Sequence, residues 1–146
     1  SNFYPCAFKD SKGTTFMCSE QYFMYMKAMT FDPTNTALLN AIRLERNPSR
    51  VKMLGREVKN YNDAVWNSVR FQHMVDGLRL KFGQHADLKR QLLQTGTKTL
   101  YEASKHDAIW GIGMYAQDAI HTDKKYYGSN LLGKALMKVR DELRAL

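Results

Sequence analysis

"DAVWNSVRFQHMVDGLRLKF", residues 63–82, is the longest periodic stretch in the chain, and its period decides the fold class. Val65, Trp66, Val69, Met74, Val75, Leu78 and Phe82 recur at helical intervals, so a long amphipathic helix is predicted here. Toward the N-terminus, "NPSRVKMLGREV" (47–58) restarts a helix, with Asn47 as N-cap and Pro48 at the first helical position. "TALLNAIRLER" (36–46) has helical apolar spacing, and "CSEQYFMYMKAM" (18–29) reads as a greasy helix that the Ser19 hydroxyl is placed to cap. Farther upstream, Tyr4 to Phe8 and Thr14 to Met17 form an expected extended pair around a turn in "KDSKG". Toward the C-terminus, "ADLKRQLLQT" is a helix stopped by Gly96, and "TLYEAS" and "AIWGIGMY" read as short strands, the second interrupted by glycines. A polar loop, "AQDAIHTDKKYYG", leads to a closing helix, "NLLGKALMKVRDELRAL". Helices dominate and strands are few, which predicts a compact α+β single domain, mostly helical, over residues 1–146.

The composition agrees with a globular core: 146 residues, 44% hydrophobic and 25% charged. No apolar run approaches a membrane span, and no charged-then-apolar leader precedes a cleavage site, so no membrane partner is expected. Cys6 and Cys18 are too few for a disulfide framework, which points to a reducing, intracellular and cytoplasmic setting. The net charge is +8, and it is unevenly placed. Arg43, Arg46, Arg50, Lys52, Arg56 and Lys59 meet only Glu45 and Glu57, which puts half of the excess in one short segment. Such a segment favours phosphate-bearing partners, and it is equally the pattern of a solvated helix face.

Scattered histidines, the lack of CxxC spacing and the lack of phosphate-loop, GxGxxG or GxSxG motifs leave metal-free and cofactor-free acid–base or covalent chemistry open. Glu20 and Lys27 are the first candidates. Seven residues turn a helix by about 700°, so the two side chains point within about 20° of each other. Phe23 and Met24 lie between them and lower water access, which favours a neutral carboxyl and a neutral amine. The plainer alternative makes the pair the wet edge of a buried helix. In "SKHDAIWGIGM", Asp107 precedes Trp110, Gly111 and Gly113, a turn where a tryptophan could stack on a base or ribose, or simply fill the core. In "YGSNLLGKALM", Ser129 or Asn130 falls at a helix N-terminus whose free amides would favour phosphate, and Gly133 implies close packing. Trp66, Arg70 and Arg56 combine stacking and phosphate-binding groups, although Trp66 also fits the core face of its helix.

In order, "SNFYP", "SEQYFMYMKA", "LGREV", the Trp66–Arg70 region, "LRLKFGQ", "LLQTG", "YEASKHDAIWGIG" and "GSNLLGKALMKVRDEL" resemble the NADAR family of N-glycosidases over nearly the whole chain. The resemblance implies a metal-free α+β fold that cleaves ribose C1–N bonds. Its substrate would be ADP-ribose joined to guanine in DNA or RNA, or else a ribosylated pyrimidine intermediate of riboflavin synthesis. A pocket that binds ADP-ribose without turnover is a third reading. By resemblance the glutamate of "SEQYF", Glu20, is the catalytic carboxylate, and Lys27 and Asp107 join it. Asn2, Tyr4, Arg56, Trp110 and Asn130 match positions expected to line the same pocket. The chain departs from the family pattern at Ala7, Gln21 and His85, and residues 116–127 match none of its motifs. Gln21 neighbours Glu20, so an effect on substrate preference is expected from it.

Overall fold

The computed structural model describes residues 6–146, so Asn2 and Tyr4 lie outside the described residues. The chain forms two compact units, one ending at His85 and the other spanning Ala86–Leu146. The first holds a hairpin of β1 (Phe8–Lys9) and β2 (Thr15–Phe16), then α1 (Ser19–Phe31), α2 (Thr36–Leu44), α3 (Pro48–Gly55) and α4 (Asp63–Gln84). The second holds α5 (Ala86–Gln94), the short α6 (Ala116–Ala119), one 3-10 turn (Lys124–Tyr126) and α7 (Leu131–Arg144). Helices with a two-stranded antiparallel sheet make the α+β class that the sequence predicts.

In the first unit α1 is the central element, packed on α2, α3 and α4. Its residues 19–24 and Ala28 are buried, as expected of a helix that is apolar nearly all round. α3 and α4 approach it where they carry glycine: a Cβ at Gly77 would stand 2.6 Å from the Tyr22 ring, and one at Gly55 would collide with the Met24 sulfur. Asparagine side chains cap three of the helices. Asn35, Asn47 and Asn62 accept from the amides of Leu38, Ser49 and Val65, and Pro48 follows Asn47 as predicted. The hairpin turns where Asp10 Oδ1 accepts from the amides of Lys12 and Thr14 and Gly13 takes a φ of 82°. Its register pairs Phe8 with Phe16, and both rings pack with Tyr22 into a core cluster.

α1 begins differently from expectation. Cys18 is the N-cap without a side-chain capping bond, while Ser19 is already helical, buried, and without a hydrogen-bond partner for its hydroxyl among the described residues. Gln21 fixes the start of α1 instead. Its Oε1 accepts from the Met17 amide at 2.6 Å, and its Nε2 donates to the carbonyls of Ile42, Arg43 and Glu45 at 3.0, 3.0 and 2.8 Å. With 1% exposure, this side chain joins the hairpin strand to the end of α2 in a dry setting. Gln21→Ala strands one amide and three carbonyls, and is expected to cost roughly 2–3 kcal/mol in urea unfolding. A change below 0.5 kcal/mol, on the order of an ordinary surface substitution, would contradict that role.

In the second unit α5 packs on α7, and buried Arg140 ties them by donating to Thr95 Oγ1 and the Lys98 carbonyl. The stretches "TLYEAS" and "AIWGIGMY" are irregular backbone, not strands. Gly113 has a φ of 76°, and Gly111 sits where a Cβ would lie 2.8 Å from the carbonyl oxygens of both Glu102 and Asp107. Those glycines bend the chain so that it pairs with α7 rather than with a strand. The amides of Asn130, Leu131 and Leu132 donate to the carbonyls of Gly111, Ile109 and Trp110 at 3.1, 3.0 and 3.0 Å. The N-cap amide of α7 and its first two helical amides are therefore taken by main chain. A Cβ at Gly133 would collide with the Leu100 carbonyl, so the close packing expected there is present.

Candidate active site

Glu20 lies in the first turn of α1 and is 7% exposed. Lys27 lies two turns on, half-buried, and its Nζ donates to the carbonyl of Gly55 at 2.9 Å. That carbonyl ends α3, so the amine sits at the negative end of a helix. The Tyr61 ring covers it, with its centroid 4.8 Å from Nζ. Burial pushes the Lys27 pKa down, the neighbouring Arg56 charge pushes it further, and Glu20 opposes both. Phe23 and Met24, buried between the two groups, supply part of that dry setting. The direction is the one a nucleophilic amine needs.

Arg56 caps α3 and is exposed. Trp66 is buried behind the site: its ring lies 5.0 Å from Phe23, 6.1 Å from Phe31 and 5.7 Å, stacked, from His73. The core role open for Trp66 in the sequence is the one it fills. Arg70 is half-buried on α4, close enough to Tyr61 for its charge to lower the phenol pKa, against the larger upward push of burial. Tyr61 itself was not singled out by the sequence. It stands in the "KNYND" loop with no periodicity to mark it, and donates from its hydroxyl to Asp63 at 2.8 Å.

The second unit holds the other sequence candidates. Asp107 Oδ1 accepts from the amides of Ile109 and Trp110 at 3.0 and 2.8 Å, so one carboxylate oxygen shapes the turn. Trp110 is half-buried, Gly111 is buried, and Gly113 accommodates the positive φ just described. Asn130 is 6% exposed and has a φ of 53°. Its side-chain oxygen accepts from the Glu102 amide at 2.9 Å and its nitrogen donates to the Leu100 carbonyl at 2.8 Å. Both ends of that side-chain amide are engaged with backbone. The departures at Ala7 and His85 meet each other, the ring Nε2 lying 2.5 Å from the Ala7 carbonyl oxygen. Gln21 likewise faces the protein rather than a substrate.

Among the described residues no helix is long and apolar enough to cross a membrane, and no three His, Cys, Asp or Glu side chains gather as a metal site. N-glycosidase R617 of Acanthamoeba polyphaga mimivirus is 40% identical over 97% of this chain and 85% of its own length. Riboflavin biosynthesis protein VVA0006 of Vibrio vulnificus is 34% identical over 99% of this chain, which spans 35% of that protein. The NMR structure of Escherichia coli YbiA, a protein named N-glycosidase YbiA, superposes with a TM-score of 0.76 at 33% identity, covering 99% of this chain and 77% of that one. A glutamate and a desolvated lysine on one helix stand within a pattern that the NADAR domain model matches over residues 1–144, and the chain belongs to the NADAR family.

Proposed function

We propose that the protein hydrolyses the bond between ribose C1 and an amine nitrogen, and that its substrate is ADP-ribosylated guanine in DNA or RNA. Family membership and relatives named N-glycosidases support the reaction class. One observation carries the substrate: all six cations from Arg43 to Lys59 are exposed, in the same unit as Glu20 and Lys27. A duplex or strand releases counterions when such a surface binds it, whereas a small phosphorylated ring needs one or two contacts.

The steps use side chains and water. The Glu20 carboxyl gives its proton to the ribose ring oxygen as the guanine nitrogen lone pair opens the ring, leaving an iminium at C1. Neutral Lys27 Nζ adds to C1, and Glu20 carries a proton from Nζ to the guanine nitrogen. Guanine then departs as the neutral amine, and C1 remains joined to Lys27 as a protonated Schiff base. Water adds to C1 while Glu20 takes its proton. Collapse of the carbinolamine frees ADP-ribose as the aldehyde and restores both side chains.

The name of the Vibrio vulnificus relative favours a second reading, hydrolysis of a ribosylated pyrimidine intermediate of riboflavin synthesis. Offering both substrates and identifying the released sugar by mass decides between them. ADP-ribose from the modified oligonucleotide, with activity that falls steeply as salt rises, is the expected result. Release of only ribose phosphate from the pyrimidine, with a flat salt response, would overturn it.

A further inference from the structure

The first unit also holds a groove of about 460 Å³ between the hairpin turn, from Lys12 to Met17, and the end of α2, at Arg43, Leu44 and Arg46. Lys12, Arg43 and Arg46 are exposed on its walls. The nearby acids are engaged with backbone: Asp10 Oδ1 accepts from the amides of Lys12 and Thr14, and Glu45 Oε1 from those of Arg46 and Asn47. None of the three cations belongs to an ion pair among the described residues, and Arg43 makes only a 3.3 Å bond to Asn40 Oδ1. The walls are held in register by Gln21, which bonds Met17 on one side and the carbonyls of Ile42, Arg43 and Glu45 on the other. The groove is therefore built into the fold and is not a chance gap between mobile side chains.

Its position relative to Lys27 follows from α3. Arg46 precedes the N-cap of that helix, and the Gly55 carbonyl at the other end receives Lys27. Eight helical residues span about 12 Å, a few nucleotides of strand. Val51 and Gly55 face inward, leaving Arg50, Lys52 and Arg56 exposed along the way. We infer that this groove holds the phosphodiester backbone of the strand flanking the modified guanine, with Lys12, Arg43 and Arg46 contacting its phosphates. Three separated cations on an open groove suit successive phosphates better than one phosphate group, and such contacts position a strand without reading its sequence. The inference rests on the nucleic-acid reading proposed above.

The test compares wild type with Arg43→Ala/Arg46→Ala and with Lys89→Ala/Arg90→Ala, a control on α5. Anisotropy with an unmodified single-stranded oligonucleotide is measured across a salt series, and hydrolysis of the ADP-ribosylated oligonucleotide is followed in parallel. Losing two single-strand phosphate contacts should reduce the log–log salt slope by about 1.4 in the groove variant alone. Its KM should rise about tenfold with kcat held, as expected when only ground-state binding is removed. An unchanged slope and KM in a variant whose wild type cleaves the oligonucleotide overturns the groove by itself. If the wild type releases no ADP-ribose, the proposed function falls, and the salt slope still decides whether the groove binds a strand.

Discussion

Glu20→Gln is expected to lower kcat by about 10²–10⁴-fold while leaving ligand affinity within a few-fold. Glutamine keeps the shape of the glutamate and one acceptor oxygen but cannot donate and recover a proton. In the proposed sequence Glu20 moves a proton at ring opening, at guanine departure and at hydrolysis, so no later step bypasses it. The side chain is 7% exposed, so bulk water does not readily replace it as the shuttle. Single-turnover release of ADP-ribose and direct ligand titration separate chemistry from binding. A variant with near wild-type turnover sinks the assignment. A wild type that binds ADP-ribose but cleaves no substrate would instead identify the pocket as a non-catalytic binding module.

The second large effect is expected at Lys27. Arginine there keeps a cation but stays protonated and forms no Schiff base. Lys27→Arg should lose on the order of 10²-fold or more in kcat, the scale on which misplacing a reacting group already costs. Borohydride added during wild-type turnover should leave a stable sugar mass on Lys27. Normal turnover with no adduct would make the lysine an electrostatic partner, with water attacking directly. The pH profile gives a further check. Burial first, and the Arg56 charge second, hold the Lys27 pKa below its ordinary value, against the opposing Glu20. Reaction needs the neutral amine together with the protonated Glu20 carboxyl, so kcat/KM should be bell-shaped in pH, with one limb set by that lowered Lys27 pKa. Arg56→Ala removes a repulsion, raises the Lys27 pKa and moves the limb it sets to higher pH, with the shift shrinking as salt screens the exposed guanidinium. For folding, the unfolded chain binds the Lys27 proton more tightly than the native one. Stability therefore rises with pH between the native and unfolded pKa values of this group.

Much of this was legible in the residues. Asn47–Pro48 marks the start of α3 because a cap and a fixed φ act locally, and the apolar period of 63–82 reports a face that the long helix buries at Trp66, Met74, Val75 and Leu78, though Val65 is exposed. The hairpin is visible for the same reason, since Asp10 and Gly13 make the turn with their own atoms. The strands expected at 99–104 and 108–115 were not to be found, because an apolar run broken by glycines reads alike whether it pairs with a strand or with a helix start. Which partner takes its carbonyls is a tertiary fact. Gln21 shows the same limit. Beside Glu20 it suggests a ligand contact, and only the positions of residues 42, 43 and 45 reveal that its donors are taken. Pattern placed Glu20 and Lys27 on one stripe, and family resemblance gave that stripe a role. Neither indicated Tyr61 or the end of α3 as the walls around the amine.

The bond from Lys27 to the Gly55 carbonyl has a stereochemical consequence. A neutral amine has two hydrogens and one lone pair. If one hydrogen stays on that carbonyl, the lone pair loses most of its freedom to rotate, and the direction from which C1 is approached is set by the end of a helix. The aiming device is main chain, so no side-chain replacement deletes it. Only a shift of α3 against α1 would re-aim the nucleophile, and Gly55, packed on Met24, is the point where a single added methyl would force that shift.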